Sequence, residues 1–520
     1  MPRRPQTMEL PSIGTLDRSA GQQGRQLTQA LRDAIRSGEL KPGEPLPSTR
    51  HLARSLALAR GTVIEAFEQL VAEGFLEARA RSGTRVATTL TAARPTRESR
   101  RAEAEAPVRL SKSAAALTDI ASQFAPLPPI PFAVSVPTGP AAPDDAWRRL
   151  GNRLRARGAG APSGYDDPHG VRVLREAIAD YVRRSRSVHC SADQVVVTTG
   201  TQQGLYIACQ VLLDAADSAW VEDPAYRGIT GILESMGRKI RMLRVPVDGA
   251  GIDVDAGIAM AKHARVAFVT PSHQYPLGMP MSMGRRSALL AWARSNDAWI
   301  VEDDYDSELR YSGHPFPSLQ GLAPDRVVYL GTFSKILFPS LRLGYAIVPN
   351  ALVTAFCGGR ALMDRHSPSA DQHVLAAFIA DGHLERHIRR IRGVYADRRE
   401  QLISILARWI PRELGWLQPS DQGMHLVLWL ADGFDDELVT SLALESGVAV
   451  RAVSPMYSPG NGRPGLVLGL GGFSNEQMET AVQRLVTLLL TMRKAKPPIS
   501  QLASRKSPIR SPSRRTRSTR

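Results

Sequence analysis

The sequence predicts an α/β chain in two parts: a small helical module closed by a β wing, and a large domain built on a mostly parallel sheet covered by helices. Two patterns, and a break between them, carry this expectation. Between residues 27 and 70 apolar side chains recur at helical spacing, and two short β-prone runs follow. From about 131 to 492, short β-rich apolar runs alternate with helical stretches. The residues between, 92–130, are rich in Ala, Pro, Arg and Glu and end in Pro126-Leu127-Pro128-Pro129-Ile130, the composition of a semi-extended linker. At 520 residues the chain is also too long for one ordinary domain.

Residues 1–22 read as a loose arm and 23–91 as the small module. Leu27, Leu31, Ala34 and Ile35 line one face of a first helix that Gly38 stops. Pro42-Gly43 marks a turn. Ser48 stands where an N-cap belongs and opens a second helix through Leu52 and Leu56. A third helix is expected from about Arg60 to Glu73, with Val63, Phe67 and Leu70 inward and Gly74 at its end. Phe75-Leu76-Glu77 and Thr84-Arg85-Val86 pair as a wing turned at Ser82-Gly83. Three helices and a wing make a winged helix-turn-helix, whose recognition helix enters the major groove of DNA.

In the large domain Val171, Leu174, Ile178 and Tyr181 fall on one helical face. Val195-Val196-Val197-Thr198, Val266-Ala267-Phe268-Val269, Trp299-Ile300-Val301 and Val327-Val328-Tyr329-Leu330 suit strands buried on both faces of a parallel sheet. Ligands of such sheets bind beyond the carboxyl ends of the strands. Two motifs fall there: Glu302-Asp303-Asp304-Tyr305-Asp306-Ser307-Glu308 and Gly331-Thr332-Phe333-Ser334-Lys335, with Arg342 seven residues further on. An amine in a Ser/Thr-rich turn, an upstream carboxylate with a Tyr beside it, and a nearby arginine form a chemical set. Pyridoxal 5'-phosphate needs an amine for its aldehyde, a carboxylate for its pyridine nitrogen, a donor for its ring oxygen and a cation for its phosphate.

Composition narrows the remaining choices. Ten Lys/Arg and no acid lie from Arg493 to Arg520, so most of the net charge of +16 sits in a tail, 493–520, expected to be disordered. The basic total therefore says little about the folded body. Three cysteines (190, 209, 357) form no disulfide framework and suit a reducing cytoplasm. No signal peptide is visible after Met1-Pro2-Arg3-Arg4-Pro5, and no apolar run reaches the roughly 18 residues of a membrane span. Leu485-Val486-Thr487-Leu488-Leu489-Leu490 reads as part of a core helix. No His/Cys/Asp/Glu spacing suggests a metal site.

Residues 23–91 closely resemble the GntR family of regulators. The resemblance rests on Gly38-x-Leu40-x-Pro42-Gly43-x-x-Leu46-Pro47-Ser48-x-Arg50, Leu52-Ala53, Arg60-x-Thr62-Val63, Glu73-Gly74-Phe75-Leu76 and Gly83-Thr84. It implies that Arg50 and Arg60 reach DNA, that Thr62 contacts the backbone, and that the wing tip Ser82-Gly83-Thr84 touches the minor groove. Arginine suits such contacts because its fork grips phosphate or guanine bidentately.

Residues 131–492 resemble fold-type I aminotransferases, on the two motifs above and on Thr270-Pro271-Ser272-His273-Gln274. Together the two modules look like the MocR subfamily of regulators. The resemblance implies that Lys335 joins the cofactor, Asp303 pairs with its pyridine nitrogen, Tyr305 bonds the ring oxygen, and Arg342 and Thr332 hold the phosphate. It gives Gly200-Thr201-Gln202, which opens a helix after a strand, a share of that phosphate through backbone N–H groups. It makes Tyr226 the ring-stacking aromatic, and Tyr165 a residue reaching the partner subunit's phosphate in a homodimer with composite sites. Tyr226 and Tyr165 also admit plain packing roles, and His273 is either a cofactor neighbour or a satisfied loop histidine.

Two positions depart from the aminotransferase pattern. The arginine that commonly clamps a substrate carboxylate is replaced by Val467, with Arg451 and Arg463 as candidate substitutes, and the Asn before Pro-x-Gly is replaced by Tyr275. The expected function is a regulator that binds a double-stranded DNA operator and senses a small amine effector or pyridoxal 5'-phosphate. The rivals are a working aminotransferase with an appended DNA-binding domain, and a regulator that keeps the enzyme fold only for dimerisation.

Overall fold

The computed structural model describes residues 21–79, 83–88, 110–134, 145–158, 164–236, 240–314 and 316–495. The chain divides after Arg109 into two compact units. Among the described residues no helix is long and apolar enough to cross a membrane.

The smaller unit has three helices, α1 Gln23–Ser37, α2 Thr49–Ser55 and α3 Arg60–Ala72. Gly38 ends α1 in the left-handed region, where the lack of a Cβ removes the steric cost. Ser48 caps α2, its hydroxyl accepting from the His51 N–H at 3.3 Å. Leu27, Leu31, Leu52, Val63, Phe67 and Leu70 bury one common core. Strands β1 Leu76–Arg79 and β2 Gly83–Val86 pair antiparallel, Leu76 facing Val86 and Arg79 facing Gly83. The helix-turn-helix and wing are as expected; Ser82 lies outside the described residues.

In the larger unit eight strands form one sheet: β3 Val195–Thr198, β4 Ser218–Asp223, β5 Arg241–Asp248, β6 Gly251–Ile252, β7 Val266–Val269, β8 Trp299–Asp304, β9 Val327–Thr332 and β10 Gly344–Ile347. Their order is β3-β10-β9-β8-β7-β4-β5-β6. The run β9-β8-β7-β4-β5 is parallel, while β10 and β6 run against their neighbours. Alternate residues explain the apolar runs. Val221, Phe268, Val301 and Val328 enter the core on one face. Trp220, Ala267, Ile300 and Val327 enter the core on the other, where Trp220 stacks on Trp292 at 3.9 Å. A strand that buries both faces has no polar side to show.

A second sheet, β11 Gly415–Leu417, β12 His425–Leu430, β13 Arg451–Ala452 and β14 Gly465–Gly469, is wholly antiparallel in the order β11-β12-β14-β13.

Two expectations are corrected. The segment expected to be extended contains a helix, α4 Lys112–Gln123. Ser111 caps it, accepting from the Ala114 N–H at 3.1 Å, and the Ala-rich sequence that follows has high helix propensity. It lies along a helix of the same unit, with Ile120 over Gly231 and Gln123 bonded to Arg227. The C-terminal helix, Asn475–Ala495, carries Leu485 and Leu489 into the core as expected, but it also includes Arg493 and Lys494, assigned to the tail. Residues 92–109 and 496–520 lie outside the described ones.

Candidate functional site

Strand alternation sorts the acidic run at the end of β8. Glu302 and Asp304 point to one face. Glu302 accepts from the N–H groups of Leu319 and Gln320 at 3.1 and 3.0 Å. Asp304 forms a buried ion pair with Arg186 at 2.7 Å and accepts from the Tyr329 hydroxyl at 2.6 Å. Asp303 points to the opposite face, and its Oδ1 is buried without a partner among the described residues. Burial pushes the Asp303 carboxyl up to about 7, Asp304 adds to this, and Lys335 opposes it. Lys335 follows β9, the parallel neighbour of β8. Burial lowers its ammonium's pKa, against the pull of Asp306 and Asp303.

On the other side of β10 from β9, β3 delivers Gly200, which starts α5 Thr201–Leu212 at φ 105°. The guanidinium of Arg342 lies over this helix start, donating to the Thr199 carbonyl at 2.6 Å. A Cβ at Gly200 would sit 3.2 Å from it. A helix N-terminus and a guanidinium converge at this positive-φ glycine, an arrangement suited to an anion. Thr332 accepts from the Ser334 N–H at 3.1 Å and so shapes the turn before Lys335.

Tyr226 precedes the helix Arg227–Ser235 and meets Tyr275 edge-on at 5.9 Å. Its phenol is raised by burial and by Asp303, and lowered by Arg451 and Arg342, which places it among the same charges. Tyr305 donates its hydroxyl proton to the His273 carbonyl at 2.9 Å. The structure therefore gathers Lys335, Asp303, Tyr305, Arg342, Thr332, Gly200, Thr201, Gln202 and Tyr226 at one sheet edge. Tyr165 stands apart, 82% exposed, its ring against Arg365 and His366. Asp303 with its orphaned oxygen, the Gly200 cradle and the amine of Lys335 fit pyridoxal phosphate in the chemistry of each donor.

Sequence reasoning left the carboxylate clamp open between two arginines. Val467 is buried with Leu277, Val427, Trp429 and Val453. Directly across from it in the β13–β14 register is Arg451. Opposed residues of an antiparallel pair share a face, so Arg451 lies on the face covered by Leu277 of the Thr270–Gly278 loop. The charge of Arg451 is felt by Lys335, Tyr226 and Tyr275. Among the described residues it has no hydrogen-bond or ion-pair partner. Arg463 is instead spent on two indoles, 4.5 Å from Trp429 and 5.4 Å from Trp416. Missed entirely were Asp306, although it lies within the quoted motif, and His425, which carried no local signal. Spacing suggested no metal cluster, yet His273, Asp306 and His425 meet with donor atoms within 4.8 Å of one another.

The smaller unit separates its arginines. Arg32 is locked to Glu73 by paired bonds of 2.8 and 3.0 Å, tying α1 to the end of α3. Arg50 on α2 and Arg60 at the start of α3 are exposed and have no intramolecular partner among the described residues. Thr62 is half-buried against Gly24, and Gly83 and Thr84 begin the second wing strand.

A helix-turn-helix with free arginines, in one chain with a fold-type I core that carries Lys335 and Asp303 at the ends of adjacent strands, defines a transcriptional regulator built on an aminotransferase fold. Residues 23–86 match the family model of bacterial regulatory proteins of the gntR family, and residues 129–485 match aminotransferase class I and II. The chain is 37% identical over 473 residues to the probable rhizopine catabolism regulatory protein MocR of Rhizobium meliloti, covering 90% of this chain and 94% of that one. It is 34% identical over 453 residues to the HTH-type pyridoxine biosynthesis transcriptional regulator PdxR of Corynebacterium glutamicum, covering 87% and 93%. Among solved structures it is similar to the α-aminoadipate aminotransferase LysN of Thermus thermophilus, complexed with N-(5'-phosphopyridoxyl)-L-leucine. That match has a TM-score of 0.67 and 26% identity over 74% of this chain and 98% of that one. The chain belongs to the MocR subfamily of GntR-type transcriptional regulators.

Proposed function

We propose that the larger unit binds pyridoxal 5'-phosphate on Lys335, and that a small amine or the cofactor itself, acting there, changes the affinity of the smaller unit for a double-stranded DNA operator. The observation that carries this reading is Asp303, a buried carboxylate with an unpartnered oxygen in the Lys335 cluster. A protonated pyridine nitrogen completes that arrangement. Tyr305 turns its hydroxyl proton from the His273 carbonyl to the ring oxygen when the cofactor binds, and Tyr226 lies beside the ring. Arg342, Thr332 and the Gly200-Thr201-Gln202 helix start grip the phosphate. When bound, the cofactor supplies an aldehyde carbon open to amines and an electron-withdrawing ring. Tyr165, turned to solvent, serves the site of a second subunit in a homodimer. Arg451 takes an anionic substituent of the amine. Arg50, Arg60, Thr62 and the wing tip Ser82-Gly83-Thr84 hold DNA. The ligand acts as a switch because it binds one arrangement of the chain better than another. All three cysteines are free among the described residues.

A working aminotransferase would use the same residues. Regulation is favoured because a DNA-binding unit serves no step of transamination. Purified protein given pyridoxal phosphate should turn yellow, and borohydride should then fix the cofactor on the peptide that holds Lys335; Lys335→Ala should abolish both. A wild type that stays colourless with excess cofactor refutes the reading.

A further inference from the structure

Loops from two adjacent parallel strands bring His273 and Asp306 together. Val269, the end of β7, is in register with Glu302 of β8. His273 comes four residues after the first and Asp306 four after the second. Their side chains are 1% exposed, and His273 Nδ1 lies 2.9 Å from Asp306 Oδ2. The Met424 N–H also donates to Asp306 Oδ2, at 3.3 Å. Tyr305 Oη sits 3.1 Å from the same Nδ1 while donating its own proton to the His273 carbonyl at 2.9 Å. That leaves the Tyr305 oxygen as an acceptor. A single proton on Nδ1 then satisfies Asp306 and Tyr305 together, and Nε2 remains buried without a partner among the described residues. Room for the ring is provided by Gly423, where a Cβ would overlap it.

We propose that His273 and Asp306 form a positioning pair for the Lys335 site: Asp306 holds His273 as its Nδ1–H tautomer, His273 orients the Tyr305 hydroxyl, and the pair sets whether the Lys335 nitrogen carries its proton. The inference rests on the reading of Lys335 as the cofactor's anchor. All the charges around the pair bear on it. Lys335 is faced by Asp306 and Asp303 from β8 and its following loop, by Arg342 from the turn before β10, and by Arg451 from β13. Asp306 stands first among these charges. Tyr305 is faced by Asp306, Tyr275, Asp303 and Glu222. His273 is faced by His425 of β12, 4.8 Å away ring to ring, which burial and His273 press down to about 3 and so keep neutral. His425 is also tied to the Pro276 carbonyl at 2.9 Å. A metal ion is the poorer occupant. Donor atoms on a tetrahedral zinc lie roughly 3.3 Å apart, closer than the 4.8 Å span of the three side chains here.

The test follows the proton at Lys335 in the full chain. With cofactor bound, the pH at which the lysine-linked absorbance changes form is measured for the wild type and for Asp306→Asn, His273→Leu and His273→Asn. Asp306→Asn removes the charge that favours the proton, and His273→Leu removes the imidazole that holds the Asp306 carboxylate and the Tyr305 hydroxyl in place. Both should lower the transition by about one pH unit or more. His273→Asn keeps an N–H at the Nδ1 position and should titrate with the wild type. The proposal is overturned if Asp306→Asn and His273→Leu also titrate with the wild type, or if His273→Asn is displaced as far as His273→Leu. Competitive acetylation of Lys335 across pH in the cofactor-free chain, read by peptide mass, gives the same ordering without the cofactor. If the wild type never binds pyridoxal phosphate, the functional reading fails while this arm still decides the pair. Zinc that raises the melting temperature of the wild type, but not of His273→Leu, replaces the pair with a metal site.

Discussion

Replacing Arg451 by Gln separates the two substitutes for the missing carboxylate clamp. Arg451 sits across from Val467 on the face that looks toward the Thr270–Gly278 loop, and its guanidinium has no internal acceptor among the described residues. Its loss therefore breaks no ion pair among the described residues. A charge-assisted bond to a ligand carboxylate is worth about 1.5–3 kcal/mol, which is about 10- to 150-fold in affinity. The assay titrates cofactor-loaded protein with a panel of amino acids and with the amines left by their decarboxylation, following the cofactor absorbance. Arg451→Gln should cut the preference for the amino acid over its amine by that factor and leave the plain amines unchanged. Arg463→Gln should leave the preference intact, because Arg463 is held over Trp429 and Trp416. If Arg451→Gln keeps the wild-type preference, or if Arg463→Gln loses it, the register argument is wrong.

Two further outcomes follow from the two units. Arg50→Ala or Arg60→Ala should each cost about 1–3 kcal/mol on an operator selected from random duplexes if the arginine reads a base. Melting should be unchanged, whereas Arg32→Ala, which breaks the bond to Glu73, should lower the melting temperature; a loss of stability in the first two would place them in the fold. The second concerns pH. Asp303 is raised from its ordinary 3.8 to about 7 in the fold, so the folded chain keeps a proton that the unfolded chain releases. Its contribution to stability is present below about pH 4 and is lost as pH rises through about 7. The cofactor-free melting temperature should thus fall from pH 5 to 8, and Asp303→Asn should reduce the slope. Glu222 and Glu302, also raised to about 7 by burial, keep part of it. An equal slope in Asp303→Asn would show that this carboxyl is not the buried acid described.

The strands and helices were legible because their signals are local. A strand covered on both faces must be apolar at every position, and Val195–Thr198 and Val266–Val269 show that pattern in four residues each. The Ser48 cap and the Gly38 stop act within one helical turn. Lys335, Asp303, Tyr305 and Arg342 stood out as candidates because each carries a distinct chemistry at a strand end. The helix Lys112–Gln123 was hidden by composition: its Ala-rich sequence fits a linker as well as a helix, and its cover is a helix about a hundred residues away. Which arginine replaces the clamp depended on the register of β13 against β14, a pairing no local pattern encodes. The meeting of His273, Asp306 and His425 depended on strand order bringing three distant segments to one buried point. Sequence by itself determined the elements and the chemistry they carry, since caps and periodicity act between near neighbours. Only the tertiary structure decided which of those groups touch, because contact across strands is set by the order and register in which the chain folds back on itself.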